Sequence, residues 1–328
     1  MKRRQFIAGL GTAAAWPVLA RAQQPAMPVI GFVNGNSGSA DTSAGFVAAF
    51  RKGLGETGYV DGQNVIVEYH WLEGRYERLP AIMAELVRRH VAVITTWGDA
   101  TAPAAKAATA TIPIVFIVAQ DPVKLGLVAS LARPGGNATG INFFNGEVVA
   151  KRLGLLHELV PKAVRLAVLL NPANVTSFET TLQQVQEAVH TSGLQVLTFN
   201  ASTSREIEAA FAILAGERPD ALFVAGDGFF NSRRVQFATL ATHHRIPAAY
   251  ADRDFVAVGG LMSYGTDAAE RYRQAGVYTG NVLKGAKPTD LPVMQSTKFE
   301  FVINLQTARL LDIEVPETLL ATADEVIQ

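Results

Sequence analysis

Short apolar runs alternate with helix-length segments along almost the whole chain, and this rhythm limits the possible folds more than any other feature. The first apolar run covers residues 28–33, and the stretch after it places Phe46, Phe50 and Leu54 four residues apart. A buried strand followed by an amphipathic helix, repeated many times, is typical of proteins with parallel sheets covered by helices. The sequence therefore predicts an α/β fold.

The alternation starts again after about residue 143, which predicts two doubly wound lobes of similar length. In this second half we expect strands at 165–170, 194–199 and 221–225 and helices near 175–191, 204–215 and 232–244. A long helix over 267–284 and a final strand at 299–303 follow. Because this extension comes after two complete lobes, the chain is expected to cross between the lobes more than once.

The first twenty-two residues have the pattern of an export signal. Lys2, Arg3 and Arg4 precede an apolar run over 6–19, and Ala20-Arg21-Ala22 fits a signal-peptidase site. The paired arginines also fit the twin-arginine pattern. A membrane anchor is the weaker interpretation, because the run is shorter than the ~20 residues that span a bilayer. We expect residues 1–22 to be removed and the mature chain to work in the periplasm.

Composition excludes several kinds of partner and site. The chain has 29 basic and 29 acidic residues, and residues 1–22 contain four of the basic ones and no acidic one. The mature chain is therefore mildly acidic and offers no basic surface to nucleic acid. The absence of cysteine excludes disulfides, thiolate sites and a lipid-anchored N-terminal cysteine. No later segment is long and uncharged enough to span a membrane, so we expect a free, unembedded protein, and a monomer.

Motifs for cofactor binding or catalysis are missing from the sequence. Residues 53–58 read G-x-G-x-x-G, but they lie at a predicted helix end, whereas a dinucleotide site lies between a strand and the start of a helix. The pair His157-Glu158 lacks the second histidine of a zinc motif, and His243 and His244 are adjacent, so they point in different directions on a helix. We therefore expect no cofactor, no metal and no catalytic residue, and a protein that is not an enzyme.

Five polar loops follow predicted strands, at residues 34–39, 96–101, 119–122, 171–174 and 226–230. In open α/β sheets, ligands bind at the carboxyl ends of strands, where helix N-termini present free N–H groups. Polar residues and glycines also end strands for structural reasons alone, but their recurrence in both lobes predicts a ligand cleft. The candidate ligand-binding residues are Asn36, Ser37, Trp97, Gly98, Ala100, Thr101, Gln120, Asp121, Asn171, Asp227, Phe229 and Tyr264.

Several aromatic side chains near these loops are candidates for sandwiching a planar ligand. Phe32 and Phe143 are expected in the core instead. Trp97 and Phe229 stand beside loop glycines and are the better candidates, whereas Tyr264 either lines the cleft or belongs to a hinge.

A set of longer motifs resembles one family of transport receptors. They are IPIVF at 112–116, DPV at 121–123, GLVASLARPGGNATG at 126–140, GGLMSYG at 259–265, LKGAKP at 283–288, FVINL at 301–305 and ADEVI at 323–327. In this order they resemble ABC-transporter substrate-binding proteins of the tryptophan/tyrosine-binding type. The resemblance runs from about residue 28 to the end.

The resemblance implies a type I periplasmic-binding-protein fold, in which two Rossmann-like lobes are joined by three crossovers. These are expected near Asn142, 261–263 and 291–295. The first lobe then consists of 28–142 plus about 264–292, and the second of about 143–262 plus about 296–328.

The resemblance also implies a function. The chain is expected to be a periplasmic receptor that holds an amino acid, or an aromatic or organic-acid-like solute, in the cleft and delivers it to an inner-membrane ABC permease. The alternatives are a periplasmic sensory module without transport and, as the weakest, a periplasmic enzyme.

For the site, the resemblance implies that the first lobe grips the ligand carboxylate and that an acidic residue of the second lobe pairs with its ammonium. By position these groups are Gly98, Ala100 and Thr101 for the carboxylate and Asp227 for the ammonium. Asp99 departs from the family pattern, because a small hydroxyl residue usually follows the glycine. At ~4 Å and an effective dielectric near 20, two carboxylates repel by about 4 kcal/mol. Asp99 is therefore expected to point outward, or the ligand is not a simple amino acid.

Overall fold

Two sheets organise the computed structural model, which describes residues 27–36, 38, 40–143, 146–190, 193–296 and 298–328. Each sheet is covered by helices on both faces, so each lobe has two apolar cores, one on either side of its sheet. The predicted α/β fold with two doubly wound lobes is confirmed.

The first lobe is built on a six-stranded parallel sheet. Its strands are β1 (Val29–Asn34), β2 (Ile66–Trp71), β3 (Val93–Trp97), β4 (Ile114–Val118), β5 (Ala138–Asn142) and β11 (Met294–Gln295), in the spatial order β11-β5-β4-β3-β1-β2. Its helices are α1 (Ala40–Glu56), α2 (Leu79–Arg88), α3 (Thr101–Ala108) and α10 (Ala268–Leu283). Short 3-10 helices lie at Tyr76–Arg78 and Pro288–Asp290.

The second lobe is built on a seven-stranded sheet. Its strands are β6 (Arg165–Leu170), β7 (Gln195–Asn200), β8 (Ala221–Val224), β9 (Ala248–Tyr250), β10 (Met262–Thr266), β12 (Phe299–Asn304) and β13 (Glu325–Ile327), in the order β13-β12-β10-β9-β8-β6-β7. Its helices are α4 (Gly146–Leu159), α5 (Val175–Val189), α6 (Ser204–Glu217), α7 (Gly228–Ser232), α8 (Arg234–His243), α9 (Arg253–Ala257), α11 (Leu305–Leu310) and α12 (Glu317–Thr322). All neighbouring strands are parallel except β10 and β12.

The central strands are apolar runs because both of their faces are covered. In β1, for example, Ile30 and Phe32 pack into the core on one face of the sheet and Val33 into the core on the other. All five residues of β3 and all five of β4 are buried. This is the pattern expected of parallel strands flanked by helices.

The chain passes between the two sheets three times. The first passage follows Asn142, the last residue of β5. The second is expected near 261–263, but β10 stays paired with antiparallel β12 as far as Thr266, so the chain passes to α10 after that residue. The third follows Gln295, because β11 pairs with β5 in the first sheet.

The glycine-rich run at 53–58 includes a residue at which α1 packs closely against α10. A Cβ atom at Gly53 would collide with the carbonyl oxygen of Arg273, and one at Gly276 would collide with the carbonyl oxygen of Phe50. Gly58, with φ of +87°, lies in the turn after α1. Gly53 and Gly276 therefore let two helices of the first lobe approach closely. The run has a structural role at the end of a helix.

Among the described residues, no helix is both long enough and apolar enough to cross a membrane. The predicted export signal, residues 1–22, lies outside the described residues.

Candidate functional site: a cavity between the lobes

A cavity lies where the carboxyl ends of the strands of the two sheets face each other. From the first lobe it is lined by residues that follow β1, β3, β4 and β5, among them Gly35, Trp97, Gly98 and Ala119. From the second lobe it is lined by residues that follow β6, β8 and β9 or end β10. This is the place where open α/β sheets bind ligands.

The two lobes touch each other directly around this cavity. The hydroxyl of Tyr76 donates to Oδ2 of Asp227 across the gap at 3.3 Å, and Nδ2 of Asn174 donates to the same hydroxyl at 3.5 Å. We call Tyr76, Asn174 and Asp227 the interlobe latch. A second contact across the gap is the ion pair between Arg271 of α10 and Asp252, at 3.1 Å. The lobes are therefore closed.

The carboxylate of Asp227 is held by five donors. It caps α7 by accepting from the backbone N–H groups of Phe229 and Phe230. The side chains of Asn171 and Asn174 donate to it at 2.9 and 3.0 Å, and Tyr76 donates the fifth bond. Because a carboxylate has about four lone-pair positions, this group is already saturated by the protein.

Asp99 presents a second carboxylate to the cavity. Its side chain is 6% exposed, so the expectation that it points outward is wrong. Oδ1 accepts from the backbone N–H groups of Ala119 and Gln120 at 2.8 and 3.0 Å, whereas Oδ2 has no protein partner among the described residues. Burial raises the pKa of Asp99 to about 6 against the effect of these two bonds, and the charge of nearby Asp227 adds to the rise.

Arg152 brings a buried positive charge to the cavity wall. It lies on α4 with 2% exposure, and its guanidinium stacks on Phe223 at 5.1 Å from the ring centre. Nε donates to the carbonyl oxygen of Tyr264 at 2.9 Å, and within the described part of the chain no carboxylate lies at ion-pair distance. Burial lowers the pKa of Arg152 to about 10, so the group is charged at neutral pH.

Arg271 is the second buried arginine of the wall. Besides its bond to Asp252, its guanidinium lies 4.9 Å from the ring centre of Trp97 and 4.2 Å from that of Phe143. It is 4% exposed, and burial lowers its pKa. Its Nε has no hydrogen-bond partner in the described structure.

Neither arginine was predicted from the sequence, because both lie on helices and not in the loops that follow strands. One signal exists for Arg152. It occupies the apolar stripe of α4, with the buried residues Val148 and Val149 four and three positions before it and Leu155 and Leu156 three and four positions after it. A charged residue in such a stripe indicates a special role.

Of the predicted site residues, the structure brings Trp97, Gly98 and Asp227 to the cavity wall. Tyr272 stacks on the Trp97 ring at 4.1 Å between ring centres. The N–H of Gly98 donates to the carbonyl of Ile117, so it is already bonded.

Six other predicted residues lie near the cavity without lining it. Ala100 and Thr101 begin α3, and the Thr101 hydroxyl donates to the carbonyl of Gly98. Asp121 accepts from the backbone N–H of Val123 in its own loop. Buried positions behind the wall are taken by Asn36, Gln120 and Asn171.

The aromatic residues that line the cavity are not all the ones expected from the sequence. Phe229 is buried against Phe230 in the second lobe, and Tyr264 stacks on Phe299, so neither ring lines the cavity. Phe143, expected in the core, is half-buried and lines the cavity, because it follows the last residue of β5. Ser37 and Phe144 lie outside the described residues.

Within the described ranges, no three histidine, aspartate or glutamate side chains are placed to hold a metal ion together.

Comparison with known proteins gives a consistent result. Residues 26–327 match the model of a family described as ABC transporter substrate binding protein. A tyrosine-binding protein of Clostridioides difficile (strain R20291) is 29% identical over 265 residues, which cover 81% of this chain and 76% of that protein. Among solved structures, a conserved domain protein from Vibrio cholerae is 26% identical, with a TM-score of 0.82 over 92% of this chain and 99% of that one.

Two further structures bear on the arrangement of the lobes. An ABC domain in complex with L-Trp from Streptococcus pneumonia is 27% identical, with a TM-score of 0.80. The ligand-free, open structure of a substrate binding protein with adhesive properties from Clostridium difficile is 26% identical but has a TM-score of 0.62. Both cover 92% of this chain and 99% of their own. At nearly equal identity and coverage, this chain therefore superposes better on the L-Trp complex than on the ligand-free, open structure.

Proposed function

This chain belongs to the ABC transporter substrate-binding protein family, and from that premise we propose that it is a periplasmic receptor that encloses one amino acid between its lobes. Proteins of this family bind small-molecule solutes outside the cytoplasm and work with ABC transporters. The chain is accordingly a solute receptor with a type I periplasmic-binding fold.

The observation that carries the amino-acid assignment is the charge of the closed cavity. Buried carboxylates and buried guanidinium groups line the same small space, contributed by both lobes. Buried charges are costly unless they are paired, so a ligand that carries both an ammonium and a carboxylate fits this lining. Trp97 and Phe143 add aromatic surface. Together with relatives named for tyrosine and L-Trp, this supports an aromatic amino acid.

The remaining parts of the proposal concern the cellular setting. We propose that residues 1–22 are removed on export, that the mature chain is a monomer, and that an inner-membrane ABC permease accepts its closed form. The export-signal pattern of the sequence supports the removal of residues 1–22, and the family supports a partnership with an ABC permease. Closure then reports that the cleft is occupied, because contacts from both lobes stabilise the closed state.

A ligand screen tests the proposal. The mature chain is mixed with each of the twenty common L-amino acids and with aromatic acids, and its thermal unfolding is followed. Ligand at about 100 times its Kd should add about 2.7 kcal/mol to the free energy of unfolding. Bound ligand should also reduce the radius of gyration in solution scattering. If no compound stabilises the chain and none compacts it, the proposal fails.

We further propose that the receptor releases its ligand unchanged. Neither the sensory nor the enzymatic alternative is favoured by an observation of the site or by the matching family. Mass spectrometry of the amino acid after long incubation checks this point, and a chemically altered product would contradict it. Uptake of labelled ligand by cells that lack the gene would favour the sensory alternative.

A further inference from the structure

We propose that Arg152 binds the carboxylate of the amino acid and that Asp99 binds its ammonium. This inference rests on the proposed function and goes beyond it by assigning the two ends of the ligand. It places the carboxylate against α4 of the second lobe and the ammonium at the end of β3 in the first lobe. The resemblance implies a different arrangement, in which the first lobe holds the carboxylate.

The first argument is the unpaired charge of Arg152. Its Nε is bonded to a carbonyl, and Nη1 and Nη2 have no partner among the described residues. The carboxylate whose charge acts on Arg152 is that of Asp252. It is already bonded through Oδ1 to Arg271 and through Oδ2 to Asn231. A buried guanidinium without a counter-ion is strongly unfavourable. A ligand carboxylate supplies the missing charge and matches the two free N–H groups in a fork geometry.

The second argument is that Asp99 has a free hydrogen-bond acceptor at the cavity wall. Two backbone N–H groups satisfy Oδ1, and Oδ2 remains without a partner at the cavity wall. The other carboxylate at this end, Asp227, already accepts five hydrogen bonds. An ammonium therefore finds its free acceptor on Asp99 and gains additional attraction from the charge of Asp227.

The third argument is that the alternative carboxylate site holds an acidic side chain and two donors that the protein already uses. The N–H of Gly98 donates to Ile117, and the hydroxyl of Thr101 donates to the carbonyl of Gly98. Asp99, between them in sequence, is itself an anion when ionised. A ligand carboxylate at this helix start would lie beside a like charge, and neither the N–H of Gly98 nor the hydroxyl of Thr101 is free to bind it.

Analogues that lack one charged group test the assignment. Binding of L-tyrosine, of tyramine, which lacks the carboxylate, and of 3-(4-hydroxyphenyl)propionate, which lacks the ammonium, is measured by calorimetry. L-Tryptophan, tryptamine and indole-3-propionate form a second set. The unmodified chain should prefer each amino acid over both of its analogues by about 100-fold, as expected for a buried charge contact.

Each of two variants, Arg152→Gln and Asp99→Asn, should lose one of these preferences and keep the other. In Arg152→Gln, the preference for tyrosine over tyramine should fall to less than about 3-fold, while the preference over the propionate persists. In Asp99→Asn, the preference over the propionate should fall and the preference over tyramine should persist. Arg152→Lys should keep part of the preference over tyramine, which also covers the case in which Arg152→Gln does not fold.

Arg271→Gln and Asp227→Asn are the matched controls. Each removes the same kind of charge from the same cavity wall, but from a group that the protein already pairs. Arg271→Gln should weaken binding of all three compounds without changing the preferences. Asp227→Asn should lower the preference over the propionate by much less than Asp99→Asn does, because the charge of Asp227 acts on the ammonium only from a distance. If a control lowers a preference as much as Arg152→Gln or Asp99→Asn does, or if Arg152→Gln still prefers tyrosine over tyramine, the assignment is overturned and the proposed function stands. If the unmodified chain binds no amino acid, both are overturned.

Discussion

At the scale of single residues, Asp99 combines a cost in stability with a role in binding. Burial raises its pKa to about 6, from a reference of 3.8. The folded protein therefore holds this proton more tightly than the unfolded chain does. The resulting stabilisation is fully present below about pH 4 and is lost as the pH rises through 6, which is the reverse of a salt-bridged aspartate. The difference between the two pKa values corresponds to about 3 kcal/mol.

The substitution Asp99→Asn should stabilise the ligand-free protein at neutral pH. An asparagine oxygen keeps the role of acceptor for Ala119 and Gln120 and carries no charge. Urea unfolding at pH 7.5 should show a gain of the order of 1–3 kcal/mol, and unfolding at pH 4 should show almost none. An equal gain at both pH values would mean that the charge is not the cause.

Ligand affinity should fall below about pH 6, because an ammonium binds the ionised form of Asp99. The charged group that acts on this carboxylate is Asp227, which raises its pKa, and the charge of Asp99 in turn raises the pKa of Tyr76. Calorimetry between pH 7.5 and 4.5 should show about a tenfold loss per pH unit below the pKa, as for one proton released on binding. The dependence should disappear in Asp99→Asn. A flat profile in the unmodified chain would contradict the assignment of the ammonium.

Sequence reasoning at this scale identified residues whose place follows from a general rule. Trp97 ends strand β3, Gly98 directly follows it and Asp227 lies in the loop after β8, and strand ends meet at the cleft. Arg152 and Arg271 reach the cleft from helices, and which helix face borders a cavity depends on the packing of the whole lobe. The orientation of Asp99 also lay beyond the sequence, since two amide groups at the end of the neighbouring strand β4 determine it.

At the scale of elements, the close packing of α1 on α10 depends on glycines that face the partner helix. Gly53 faces the backbone of α10, whereas a Cβ at Gly55, two positions on, would meet no atom within 4 Å. Because the two glycines belong to one helix, they form a matched pair for a test.

Gly53→Ala should destabilise the protein by about 1–3 kcal/mol or more, because the added methyl group forces the helices apart. Gly55→Ala should be neutral or stabilising by up to about 1 kcal/mol, because alanine favours a helix over glycine. Urea unfolding of both variants measures the difference. Equal changes in the free energy of unfolding would show that the contact with α10 does not cause the effect of Gly53→Ala.

Element boundaries were predictable where local periodicity determines them. The long helix expected over 267–284 is α10, and the expected final strand is β12. The extension of β10 to Thr266 was not predictable, because it follows from pairing with β12, more than thirty residues later in the chain. Such pairings depend on topology and leave no local signal.

At the scale of the whole molecule, the main variable is how far the two lobes are closed. The interlobe latch joins Tyr76 of the first lobe to a polar cluster of the second. Without the Tyr76 hydroxyl, Asp227 keeps its four other donors, so no carboxylate is left unpaired. The effect of removing this hydroxyl should therefore report closure alone.

Tyr76→Phe should weaken ligand binding by about 3- to 10-fold, as expected for one lost hydrogen bond, mainly through faster dissociation. Solution scattering of the ligand-free variant should show a larger radius of gyration. Tyr59→Phe is the control, since Tyr59 packs within the first lobe and makes no contact across the gap. Unchanged dissociation in Tyr76→Phe would mean that the latch does not hold the lobes.

The position of Asp99 and Asp227 on opposite lobes has a consequence for energy use by the transporter. The two carboxylates lie near each other in the closed structure, and the charge of Asp227 raises the pKa of Asp99. If a permease accepts the closed form, as we propose, it would treat an empty receptor that closed as a loaded one, and ATP would be hydrolysed without cargo. We expect the repulsion between the two groups to make empty closure rare, and an arriving ammonium to cancel it. The same pair of charges would then serve as a safeguard against futile transport cycles.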